Sequence, residues 1–106
     1  MEMLNLDSIV QKEMTVNLKG ESYVIPAQPP MDFVLQLQSI QQKAMKEKNE
    51  NKQIQYSAEV CAVILNQDQS KKTTVDYVMK NVSFAQMQML VKFYQEQISK
   101  IEQDPN

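Results

Sequence analysis

Ile54–Gln67 reads IQYSAEVCAVILNQ. On a helical wheel Ile54, Tyr56, Val60, Cys61, Val63, Ile64 and Leu65 spread around nearly the whole circumference, and only Glu59 and Asn66 leave a clear polar edge. A short helix that is apolar on most sides is buried on most sides, so this stretch predicts the central helix of a small domain. Cys61 falls inside it and reads as a small buried hydrophobe, not as a reactive thiol. The rest of the chain must supply the walls around this helix.

Toward the C-terminus, NQDQSKK (residues 66–72) reads as a loop. Thr73 or Thr74 can cap a short helix through about Asn81, with Val75, Val78, Met79 and Val82 as its apolar face. Ser83 and Gln86 have the spacing of a capping box and open a last helix that should continue to about Glu102, before DPN closes the chain. On that helix Phe84, Met87, Leu90, Val91, Tyr94, Ile98 and Ile101 gather within about 120°, a complete core stripe. Glu96 and Lys100 stand four apart in the favourable order for an ion pair.

Toward the N-terminus, KEKNENKQ (residues 46–53) reads as a frayed helix end followed by a mobile hydrophilic loop. A helix from Met31 to about Lys48 precedes it, with Phe33, Val34, Leu37, Ile40, Ala44 and Met45 on one side. Pro30 suits its start, and Asp32 suits its dipole. PAQPP (residues 26–30) is a stiff connector. Before it, EMTVNLKGESYVIP (residues 13–26) reads as a hairpin. Met14, Val16 and Leu18 alternate with Thr15 and Asn17, Gly20 is free to take positive φ in the turn, and Pro26 ends the second strand. Residues 1–12 fit either an extended lead-in or a helical turn capped by Asp7 or Ser8. The expectation is one α+β, mainly α domain over residues 1–106. An N-terminal segment with a β-hairpin (1–29) is followed by a bundle of three to four helices (30–106).

Composition narrows the function. The 106 residues carry a net charge of −2 with mixed signs, which does not suit a general nucleic-acid binder. No apolar run is long enough to span a membrane, and MEMLNLDSIV lacks the basic start and apolar run of an export signal. With Cys61 as the only cysteine no internal disulfide is available, and a cytoplasmic setting is the simplest expectation. The sequon NVS at Asn81 is then a chance match. Histidine is absent and glycine occurs once, so the usual general base, the commonest metal ligand and glycine-rich phosphate loops are all missing. Asp68, Asp76, Glu59 and Glu96 are dispersed without catalytic spacing, and Ser and Thr have no histidine to activate them. The chain reads as a non-enzyme with no cofactor, metal or small-molecule substrate. Eight methionines are many for this length, and methionine serves both irregular cores and adaptable binding surfaces.

Two residues stand outside the stripe of the last helix. Met89 and Phe93 lie four apart on its far side, among Gln86, Glu96, Gln97 and Lys100. Either another part of the same chain covers them, the hairpin or the N-terminal segment, or a partner or second copy does. Leu35 and Tyr77 are also off their stripes and extend the candidate protein-interaction surface.

The order of elements carries a family resemblance. The hairpin MTVNLKGESYVIPAQP is followed by MDFVLQLQSIQQKAM, the buried AEVCAVILNQ, the short TTVDYVMKNVS and the final FAQMQMLVKFYQEQISKIEQDPN. Over nearly its full length this layout resembles the small tail assembly chaperones of long-tailed, siphovirus-like phages and prophages of Gram-positive bacteria. It rests on layout and apolar pattern, without a diagnostic motif. The resemblance implies a non-enzymatic, mostly helical protein of the host cytoplasm that is absent from the finished virion. Such proteins coat the tape measure protein, keep it soluble, and give way as the tail tube forms. It also implies self-association along the client. Two alternatives are a structural tail or virion component, whose hairpin adds to a neighbour's sheet, and a small bacterial protein–protein adaptor.

Overall fold

A computed structural model describes residues 13–26 and 29–103, with side chains as far as Glu96. Residues 1–12, the closing DPN and the partner side of the Glu96–Lys100 pair lie outside the described part. Two antiparallel strands, β1 (Glu13–Leu18) and β2 (Glu21–Pro26), precede four helices: α1 (Met31–Lys46), α2 (Glu50–Leu65), α3 (Val75–Asn81) and α4 (Phe84–Gln103). The architecture is α+β and mainly α, as the sequence pattern predicts.

The hairpin turns through two residues, Lys19 at φ 53° and Gly20 at φ 78°. Two successive positive φ values are the geometry that lets a two-residue loop follow the twist of its strands. A side chain at Gly20 would meet nothing within 4 Å, so backbone conformation alone favours glycine there. The register pairs Leu18 with Glu21, Val16 with Tyr23 and Met14 with Ile25. Met14, Tyr23 and Ile25 turn inward and are buried.

α2 is the hub. It packs against α1, α3, α4 and β2, and Ala58, Val60, Cys61, Ala62, Ile64 and Leu65 are buried along it. Cys61 donates weakly to the Met87 carbonyl at 3.7 Å, and burial pushes its thiol pKa up to about 12. Val78 and Val82 close the core from the α3 side, Met87 and Tyr94 from α4. Phe33 of α1 meets Tyr94 edge-on, with ring centroids 6.1 Å apart.

Several expectations need correcting. Residues 50–53 are not loop but the first turn of α2. Asn49 caps it, its side-chain oxygen accepting from the N–H groups of Asn51 and Lys52 at 2.9 and 3.3 Å. α1 accordingly stops at Lys46, and only Glu47–Asn49 separate it from α2. Met45, assigned to the inner face of α1, is 86% exposed, and Phe84, assigned to the stripe of α4, is 48% exposed. Both sit at the end of a helix, where among the described residues no neighbour covers them. Met79 and Val75 of α3 are likewise exposed while Val78 and Val82 are buried, which narrows that apolar face to two residues. The caps of the last two helices follow the sequence. Thr74 accepts from the Tyr77 N–H, and Ser83 and Gln86 exchange hydrogen bonds at 3.1 and 2.8 Å.

Candidate functional site

The α2–α3 loop holds the hairpin in place. In a two-residue hairpin the flanking pair Leu18–Glu21 is hydrogen-bonded, so Val16–Tyr23 and Met14–Ile25 are too. The main-chain groups of Thr15, Asn17, Ser22 and Val24 therefore point away from the ladder. On the β2 side the loop meets them. The Val24 N–H donates to Asp68 Oδ2 at 2.8 Å, and Lys71 Nζ donates to the Ser22 carbonyl. The Lys71 ammonium also lies 5.2 Å from the Tyr23 ring centroid. The Ser70 hydroxyl, the Val24 N–H and the Ser70 N–H hold the Asp68 carboxyl down to about 2, from an ordinary 3.8. Asn66 fixes the loop itself, its amide pairing with both the N–H and the carbonyl of Thr73.

On the β1 side the described residues supply no such clamp. Among the described residues no group hydrogen-bonds to the outward main-chain atoms of Thr15 or Asn17. Among the described residues the hairpin thus has one clamped edge and one open edge.

Beside the open edge lies an apolar groove of about 450 Å³. Thr15–Leu18 of β1 form one wall, Met89 and Phe93 of α4 the other, and Leu65, Val82 and Leu90 line it between them. Met89 is 71% exposed and Phe93 37% exposed. The off-stripe pair on α4 is therefore approached by the hairpin but not covered by it. The other two sequence candidates fall elsewhere. Leu35, 58% exposed, sits on the outer face of α1. Tyr77 is half-buried and lines a small separate pocket with Tyr23, Lys71 and Thr73. Burial and the neighbouring Tyr23 hydroxyl push its pKa up. Met89 and Phe93 thus line one groove, and Leu35 and Tyr77 lie outside it.

Sequence reasoning missed the β1 wall and the Asp68–Lys71 clamp. The alternation of β1 places Thr15 and Asn17 on one face, but which strand edge stays open depends on a loop about 45 residues further along the chain. No local pattern marks Asp68 or Lys71 as strand partners.

A second depression, of about 470 Å³, lies between α1 and the end of α2, lined among others by Phe33, Gln36, Asn66 and Gln67. Gln67 donates to the Tyr94 hydroxyl at 3.0 Å, while its amide oxygen is buried without a partner among the described residues. Among the described residues no group of three or more His, Cys, Asp or Glu could hold a metal ion, and no helix is long and apolar enough to cross a membrane. Comparison with family models, with curated proteins and with solved structures finds no match to the chain.

Proposed function

We propose that this chain works by binding protein, as a tail assembly chaperone that takes apolar segments of the tape measure protein into the groove between β1 and α4. The observation that carries this reading is the position of Met89 and Phe93. Four residues apart on one helix, they form an exposed apolar wall facing a ready-made groove. Methionine suits a client whose side chains vary along its length, because its unbranched thioether repacks at little cost. Met31, Met45, Met79 and Met89 are all exposed, which gives the surface more such side chains than a core alone requires. The layout resemblance supports this client class, and the apolar groove supports a binding role.

The test is co-expression with the longest helical protein encoded beside this gene, followed by pull-down and light scattering. Many copies of this chain on one long client are expected, and Met89→Glu with Phe93→Glu should strip them off. No complex, together with this protein in purified particles, would overturn the chaperone reading in favour of a structural component.

A further inference from the structure

We propose that α1 is a displaceable arm: it detaches from α2 while the rest of the domain stays folded, and the apolar face it leaves takes an amphipathic helix of another protein. The arm is held by apolar contact alone. None of its 16 residues is fully buried, and Phe33, Leu37 and Ile40 are the half-buried side chains that rest on the core. Among the described residues no hydrogen bond or ion pair joins Met31–Lys46 to a strand or to another helix. The other elements are tied by polar contacts as well, α2 to α4 through Cys61, and the loop after α2 to β2 through Asp68 and to α4 through Gln67. The seat of the arm is also incomplete. The depression of about 470 Å³ lies between Phe33 and Gln36 of α1 and the end of α2, and the unpartnered amide oxygen of Gln67 is buried beside it. Water that enters as α1 lifts hydrates that oxygen, which offsets part of the cost of opening.

Detachment takes the form of local unfolding. α1 is tethered at both ends, to β2 through residues 27–30 and to α2 through Glu47–Asn49, and a helix of this length is marginal in water once it leaves its support. The start of α2 does not depend on the arm, because Asn49 caps it from outside α1. The occupant is defined by what α1 itself presents. Phe33, Leu37 and Ile40 stand at i, i+4 and i+7, the spacing by which an amphipathic helix seats its anchors in an apolar groove. An aromatic first anchor meets the Tyr94 ring edge-on, as Phe33 does at 6.1 Å. With no described ion pair between α1 and its support, apolar spacing selects the helix and charge does not. The depression beside α1 shares no lining residue with the groove between β1 and α4, so this is a second site that does not rest on the chaperone reading.

The experiment is amide hydrogen exchange on the full chain, read residue by residue. Amides of Leu37–Ala44 should exchange about a hundredfold faster than those of Cys61–Leu65. Val78→Ala weakens the core on the α3 side, away from α1. It should speed exchange in α2 roughly tenfold and leave α1 unchanged, because detachment of the arm does not disturb Val78. The probe for the vacated face is a synthetic peptide spanning residues 29–48. It binds only the open form, so a millimolar excess should speed exchange in α1 severalfold while α2 stays protected, and the same peptide carrying Leu37→Glu should have no effect. Equal protection of α1 and α2, or equal acceleration of both by Val78→Ala, overturns the detachment. Exchange in α1 that ignores the peptide, or answers both peptides alike, overturns the helix site. The wild-type comparison and the peptides decide the matter if Val78→Ala does not fold. No client enters these measurements, so their outcome is independent of the chaperone test.

Discussion

α1 and α2 are both 16 residues long, and their apolar patterns promise opposite things. α1 has the cleaner stripe, with polar residues filling its other side, yet none of its residues is fully buried. α2 has no clean stripe and buries six residues. The reason lies in the number of neighbours. Among the described residues α1 rests mainly on α2, with Phe33 alone reaching the Tyr94 ring of α4, so Phe33, Leu37 and Ile40 on its inner face keep an open flank. α2 touches three helices and a strand, and must be apolar in several directions at once. Periodicity records how many sides of a helix are covered, and says little about how deeply. The largest effect expected from this contrast comes from one chemical change made in both helices. Ile64→Ala should cost about 3–5 kcal/mol and the half-buried Ile40→Ala about 1–2 kcal/mol, read from urea unfolding. Equal losses would break the comparison.

The depth of α2 also depends on whether the Asp68 clamp holds β2 against it. β2 lies against α2 and delivers Tyr23 and Ile25 to the core, and Asp68 ties the outer edge of β2 to the loop after α2. The Asp68 pKa is lower in the folded chain, about 2, than its ordinary 3.8. The stabilisation is therefore complete above about pH 4 and is lost as the pH falls toward 2. Asp68→Asn should flatten that part of the acid dependence and speed hydrogen exchange at the Val24 amide, with little change at amides of α1. Protection at Val24 that survives the substitution would show that strand packing, without the clamp, holds the hairpin down.

How much of this was legible follows from what each signal measures. Caps are local, and Thr74, Ser83 and Gln86 act where the sequence puts them. Asn49 went unread because the turn it starts is exposed and charged, so composition outweighed a single capping residue. Phe84 and Met45 were misplaced because a wheel keeps the angle of a residue and discards its height along the axis. A side chain in the first or last turn can point the right way and still overshoot its neighbour. The groove was half legible. Met89 and Phe93 stood out by their angle, whereas the opposing wall on β1 depends on tertiary placement that no period encodes.

A smaller effect, of opposite sign, tests the hairpin from its turn. Lys19 holds a positive φ at a cost that an asparagine largely avoids. Lys19→Asn should stabilise the chain by about 0.5–1 kcal/mol if the hairpin folds together with α2, and the gain should appear in thermal unfolding of the whole domain. A more protected hairpin with an unchanged global transition would mean that the two fold as separate units, and that α2 keeps its depth from the helices alone.

The smallest expected change in stability is the one that matters most for function. The outer row of α4 should behave like the open flank of α1, not like α2. Met89 is 71% exposed, so Met89→Glu should alter stability by less than about 0.5 kcal/mol. Phe93 is 37% exposed and shares the groove wall, so Phe93→Glu should cost about 1 kcal/mol through the contacts it does make. Together the two substitutions should leave helicity intact while abolishing client capture, because a carboxylate on that wall must be desolvated for an apolar segment to enter. Collapse of folding in the double variant would instead place Met89 and Phe93 with the core. The exposed wall of the groove would then be a consequence of how the hairpin sits, and the binding surface would have to be sought on the outer face of α1, at Met31 and Leu35.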